Sequence, residues 1–173
     1  MPDDGIVPAL FGIDPDVLYH WTPREGRAVI AEAVYEGEGE SAKEITPKRW
    51  GPALDGAPVV MLAPLMESDY LALDHARAAY RRERAKRLAA GDTADDLTVF
   101  SDELVSKTLR ASVKGIKIKG PGGRELTFSG EWEKDEVKIR RWRGELFYDI
   151  VSANAYETED VSGFTSPQGS GQA

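Results

Sequence analysis

Apolar positions alternate with polar ones from Asp16 to Trp21, where Val17, Tyr19 and Trp21 interleave with Leu18 and His20. A period of two in aromatic and β-branched residues predicts a strand. Gly26 to Glu36 is read as a second strand, with a short helix as the alternative, followed by a loop over the Gly- and Glu-rich run to Glu44. The run Gly56 to Leu65 is short, apolar and bounded by Gly and Pro, the pattern of a well-buried strand. From Ser68, placed as an N-cap with Asp69 in the first turn, the period changes. Ala72, Leu73, Ala76, Ala79 and Tyr80 recur at helical spacing. Gly91 is the expected stop, and Asp92, Asp95 and Asp96 are expected to open a second helix with the stripe Leu97, Ser101, Leu104, Val105, Thr108, Leu109 and Ser112. A short connection makes the two helices an antiparallel αα-hairpin. Ile116 and Ile118 then alternate with lysines, turn through Gly120 to Gly123 and alternate again through Leu126 and Phe128, which predicts a β-hairpin. A last helix from about Lys134 to Ala155 carries Trp142, Leu146, Ile150 and Ala153 on one face, with Gly144 as its weak point.

The elements predict an α+β fold: a small N-terminal β unit, a central antiparallel αα-hairpin, a β-hairpin and a C-terminal helix. One domain is expected over residues 1–156, β-rich over 14–65 and helical over 67–156, with a flexible polar tail over 157–173. Composition narrows the setting. Hydrophobic residues at 41% and charged residues at 30% are ordinary for a soluble protein, and no run approaches the roughly 20 apolar residues of a membrane span. The acidic start "MPDDGIVPALFG" lacks the basic and long apolar regions of a secretory signal, which points to the cytoplasm. With no cysteine in the chain, disulfides, thiolate metal sites and thiol catalysis are excluded.

No motif assigns catalysis. His20 and His75 are the only histidines and have no metal-ligand spacing. The sequence "GPGG" leads into a strand and lacks the Lys-Ser/Thr ending of a phosphate loop, so it is read as a hairpin turn. The acid pairs Asp14 and Asp16, Asp95 and Asp96, and Asp102 and Glu103 sit at turns and helix starts, where solvent and dipoles account for them. The chain is therefore read as a non-enzyme with no catalytic, cofactor or metal residues.

The conspicuous chemistry is a basic helix end in an acidic chain. Arg81, Arg82, Arg84, Lys86 and Arg87 cluster where the apolar stripe stops, although the formal net charge is -8. Such a run is explained as a solvated helix end near Asp92, Asp95 and Asp96, or as a docking site for an acidic protein segment, including one of another copy. Nucleic acid is disfavoured, because the overall charge repels phosphate and no aromatic residue interleaves the cluster. These five residues, with Tyr80 and Trp142, are the candidate partner-binding residues.

Three segments carry a resemblance: Val60 to Tyr70, an apolar strand of the "P-L-T" kind leading into an acidic-capped helix; Val113 to Ile118 before a Gly-rich hairpin; and Leu146 to Asp160, a closing helix that runs into an acidic, polar tail. This layout, covering about two thirds of the chain, resembles the tail assembly chaperones and related morphogenesis proteins of long-tailed bacteriophages. The resemblance implies a non-enzymatic protein in the host cytoplasm that binds the helical tape measure protein, or another tail protein, and keeps it soluble until tail-tube subunits polymerise. The alternative is a structural virion protein, possible as a homo-oligomer, ordered by its neighbours.

Overall fold

The computed structural model describes residues 18–153. The expected strand residues Asp16 and Val17, the end of the last helix beyond residue 153 and the tail 157–173 lie outside them. The fold is α+β, as expected. Its centre is a four-stranded antiparallel sheet in the order β1-β6-β7-β8, built from β1 (Tyr19–Trp21), β6 (Val59–Leu62), β7 (Val113–Lys119) and β8 (Glu125–Thr127). Alternation decides which face is buried. Tyr19 and Trp21 point inward while His20 is exposed, and in β7 the lysines Lys114, Lys117 and Lys119 are exposed while Val113, Ile116 and Ile118 are covered. Gly115 faces Met61 across the ladder, and a Cβ there would meet the Met61 sulfur at 3.0 Å, so the close approach of β6 and β7 requires glycine. The β7–β8 hairpin forms as predicted, closing through a 3₁₀ turn at Pro121–Gly123.

Four helices follow the strands in packing. Helix α1 (Glu67–Ala89) is 23 residues long, and Leu73 is its one buried residue. It starts at Glu67 with Met66 in the N-cap position, not at Ser68; Glu67 and Asp69 in the first turn complement the dipole where no side chain caps. It ends as predicted at Gly91, whose φ of +80° allows the Asp92 amide to donate to the Arg87 carbonyl (2.9 Å) and the Gly91 amide to donate to Leu88 (3.1 Å), a Schellman closure. Helix α2 (Asp102–Ser112) begins later than expected. Asp92, Asp95 and Asp96 lie in the connection and Leu97 is outside the helix, because Ser101 supplies a true cap, its Oγ accepting from the Leu104 amide at 3.2 Å. The connection between α1 and α2, residues 90–101, is longer than the short link expected. Phe100 anchors the connection, edge-on to Phe147 with centroids 5.2 Å apart and with Arg77 over its ring.

The expected last helix is two. Helix α3 (Trp132–Ile139) passes through a 3₁₀ turn, Arg140–Trp142, into α4, which runs from residue 143 to the end of the described residues. The break falls at Ile139, with φ −102° and ψ 2°, and not at Gly144, which is inside α4. Tightening the chain there lets Ile139 and Trp142, three residues apart, both be buried. Beyond the break the predicted face is in the core: Leu146, Ile150 and Ala153 pack with Trp21, Leu62, Leu109 and Val113 in one cluster.

Residues 27–53 form a separate two-stranded arm. Strand β2 (Arg27–Ala31) pairs with β5 (Arg49–Ala53), and β3 (Val34–Glu36) pairs with β4 (Lys43–Thr46), all antiparallel, as two successive two-stranded sheets with the turn Gly39–Ser41 between β3 and β4. Gly37 and Gly39, at φ +99° and +64°, make that tip. Every residue of β3 and β4 is exposed.

Candidate partner-binding surface

The basic end of α1 has no core beneath it. Arg81, Arg82, Arg84 and Lys86 are exposed, and among the described residues none has an ion pair or side-chain hydrogen bond. Arg87 is different. Its Nε donates to Glu83 (3.3 Å) and its Nη1 to Asp96 (2.6 Å), tying the helix end to the following turn. The hydrogen bond from Arg87 holds the Asp96 carboxyl below its usual range, and that bond raises the Arg87 guanidinium in turn. The five expected binding residues thus divide into four free cations and one structural one.

Tyr80 lies half-buried beside them. With Arg84 and Leu88 of α1 and Asp92, Asp95 and Leu97 of the connection it lines an open concavity of about 470 Å³. Its lining mixes the apolar side chains Tyr80, Leu88 and Leu97 with one cation, Arg84, and two carboxylates, Asp92 and Asp95. Trp142 does not line this concavity: it is buried, at 9% exposure, and its indole N–H donates to Glu25 Oε1. Packing accounts for it.

Trp142 belongs to a clasp that the sequence did not announce. Arg141 pairs with the other oxygen of Glu25 (2.8 Å). The Arg24 amide donates to Glu145 (2.7 Å) and its guanidinium to Asp149 (3.1 Å), while the Trp21 indole donates to Asp149 (2.8 Å). Segments more than 115 residues apart are closed by these bonds. A cleft of about 370 Å³ at the base of the arm adjoins it, lined by Arg24, Arg27, Lys48, Arg49, Trp50 and Asp149 among others. Lys48 there lies 4.9 Å over the Trp50 ring and pairs with Glu32.

A third concavity, of about 500 Å³, lies between the 53–59 segment and the β7–β8 hairpin. Neither histidine lines any of the three, and both are exposed. Among the described residues no group of three His, Asp or Glu is placed to hold a metal ion, and no helix is long and apolar enough to cross a membrane. Known protein families, curated proteins and solved structures offer no match to this chain.

Substitution separates the helix end from the core. Changing Arg81, Arg82, Arg84 and Lys86 together to Gln should leave the thermal midpoint nearly unchanged, since exposed charges contribute little to stability. Leu73→Ala, at the one buried position of α1, should lower stability by about 2 to 5 kcal/mol. Calorimetry of both variants checks the pair of expectations, and unfolding of the Gln variant would place the helix end in the core.

Proposed function

We propose that the protein is a non-catalytic assembly protein of a phage tail, one that binds a helical partner of the tape measure kind and keeps it soluble during morphogenesis. The observation that supports partner binding is the arm. Val29, Ile30, Val34, Tyr35 and Ile45 are all 42–59% exposed there, on strands paired only with each other. A two-stranded ribbon is marginal in water, and apolar side chains on both its faces gain most when another chain covers them. The phage setting rests on the motif resemblance. Two of its three segments meet in the fold, where Val60 on β6 is opposite Ile116 on β7.

Co-expression with a candidate tape measure protein should raise that partner's soluble fraction several-fold. Unchanged precipitation would remove the chaperone reading. The same exposed arm also suits a structural virion protein, and recovery of the chain from purified particles would move the proposal to that role.

A further inference from the structure

The two parts of the molecule that stand clear of the core carry opposite charge. At the tip of the arm, residues 36–44 hold four carboxylates (Glu36, Glu38, Glu40 and Glu44) and a single lysine. At the end of α1, residues 81–87 hold five cations and a single carboxylate. Glu36, Glu38 and Glu40 have no cation partner among the described residues, just as Arg81, Arg82, Arg84 and Lys86 have no carboxylate. These are two unneutralised patches of opposite sign, and no ion pair joins them within the chain.

We propose that copies of this chain associate by seating the acidic arm tip of one on the basic α1 end of the next. Reach allows it. About ten residues of β-structure give the arm a length of roughly 30 Å, and the 23 residues of α1 span about 34 Å, so both patches sit at the ends of long elements. Apolar contacts complement the charges. Exposed Tyr35 and Ile45, next to the tip, can meet Tyr80, Leu88 and Leu97 in the lining of the open concavity. Asp92 and Asp95 line the same concavity and repel the tip, which favours its contact with Arg84. Because the two patches are different surfaces, each copy has both a donor and an acceptor for the contact and association continues from copy to copy. The contact does not depend on the tape measure reading, since it needs only this chain.

Sedimentation equilibrium of the purified full chain tests it. Average mass should rise with concentration at about 50 mM salt and fall back toward the monomer at about 500 mM, where exposed charges are screened. Reversing the tip (Glu36→Lys, Glu38→Lys, Glu40→Lys) or the helix end (Arg81→Glu, Arg82→Glu, Arg84→Glu, Lys86→Glu) should weaken self-association at least tenfold, with far-UV circular dichroism unchanged. Mixing the two reversed proteins should restore it, because each then offers the other an opposite charge at both contacts. A monomer at every concentration and salt, association untouched by either reversal, or a mixture that stays monomeric would each overturn the proposal. A monomeric wild type that still solubilises the tape measure partner would overturn this contact alone, whereas an associating chain that leaves the partner insoluble would overturn the chaperone reading alone.

Discussion

Asp135→Asn is expected to destabilise the protein by about 3 kcal/mol at neutral pH, and the loss should shrink as the solution is acidified. Asp135 has no solvent exposure, yet its carboxylate accepts from the Ser129 amide (2.9 Å), the Ser129 hydroxyl (2.9 Å), the Gly130 amide (2.9 Å) and the Lys138 ammonium (2.8 Å). Burial by itself pushes this carboxyl up, but Lys138 and Ser129 together outweigh burial and hold it below its ordinary range. Asparagine keeps the shape and turns one acceptor into a donor that faces donors. Removing one partner of a buried pair costs about 3 to 5 kcal/mol, and the lower end applies because Lys138, at 20% exposure, can turn toward water. The sign of the pH dependence follows from the depressed pKa. Below about pH 4 the unfolded chain takes up a proton that the folded carboxylate refuses, so the stabilisation is complete above that pH and lost as pH falls through the folded value. Urea unfolding of both proteins at pH 7 and pH 3 isolates the effect, and a difference that is the same at both pH values would show that the charge is not what matters.

The parts of this fold that were legible are those where burial repeats along the chain. Ile116 and Ile118 between lysines marked β7, and Trp142, Leu146, Ile150 and Ala153 marked a face that is in the core. Pairing was not legible, because β6 finds β7 across α1, the 90–101 connection and α2. The arm was half seen. Its strands β4 and β5 show no strict alternation, and Pro52 in β5 falls where the ladder register shifts, so that its missing N–H costs little. The basic helix end was visible as soon as the stripe ended at Tyr80. Its division was not: Arg87 differs from its neighbours only because Glu83 lies one turn behind it and Asp96 is folded back beside it. Trp142 misled for a related reason, since a tryptophan on an apolar face gives the same pattern whether that face meets a partner or the chain's own core.

Trp21→Ala is expected to be the most damaging single substitution, with a loss of about 3 to 5 kcal/mol. Trp21 is fully buried in the short edge strand β1, where it pairs with Val60, and it belongs to the central cluster with Leu62, Leu109 and Leu146. Two losses combine in the alanine variant. The core loses an indole-sized volume that its close-packed neighbours cannot easily fill, and Asp149 loses the N–H that approaches its Oδ2 at 2.8 Å. Trp21→Phe separates them, because phenylalanine restores most of the ring and none of the donor. Asp149 then keeps only the Arg24 guanidinium, at 3.1 Å, and a cost of about 1 to 3 kcal/mol is expected for the missing bond. For a domain whose whole stability is about 5 to 15 kcal/mol, the alanine variant should melt roughly 10 °C lower or fail to fold, with the phenylalanine variant between it and the wild type. Adding Asp149→Asn to Trp21→Phe extends the series: if the clasp works as a charged acceptor shared by Trp21 and Arg24, the second change should cost less in the Phe background than in the wild type. Equal costs in both backgrounds would show that Trp21 acts through its volume alone, and that the clasp to α4 draws nothing from the indole N–H.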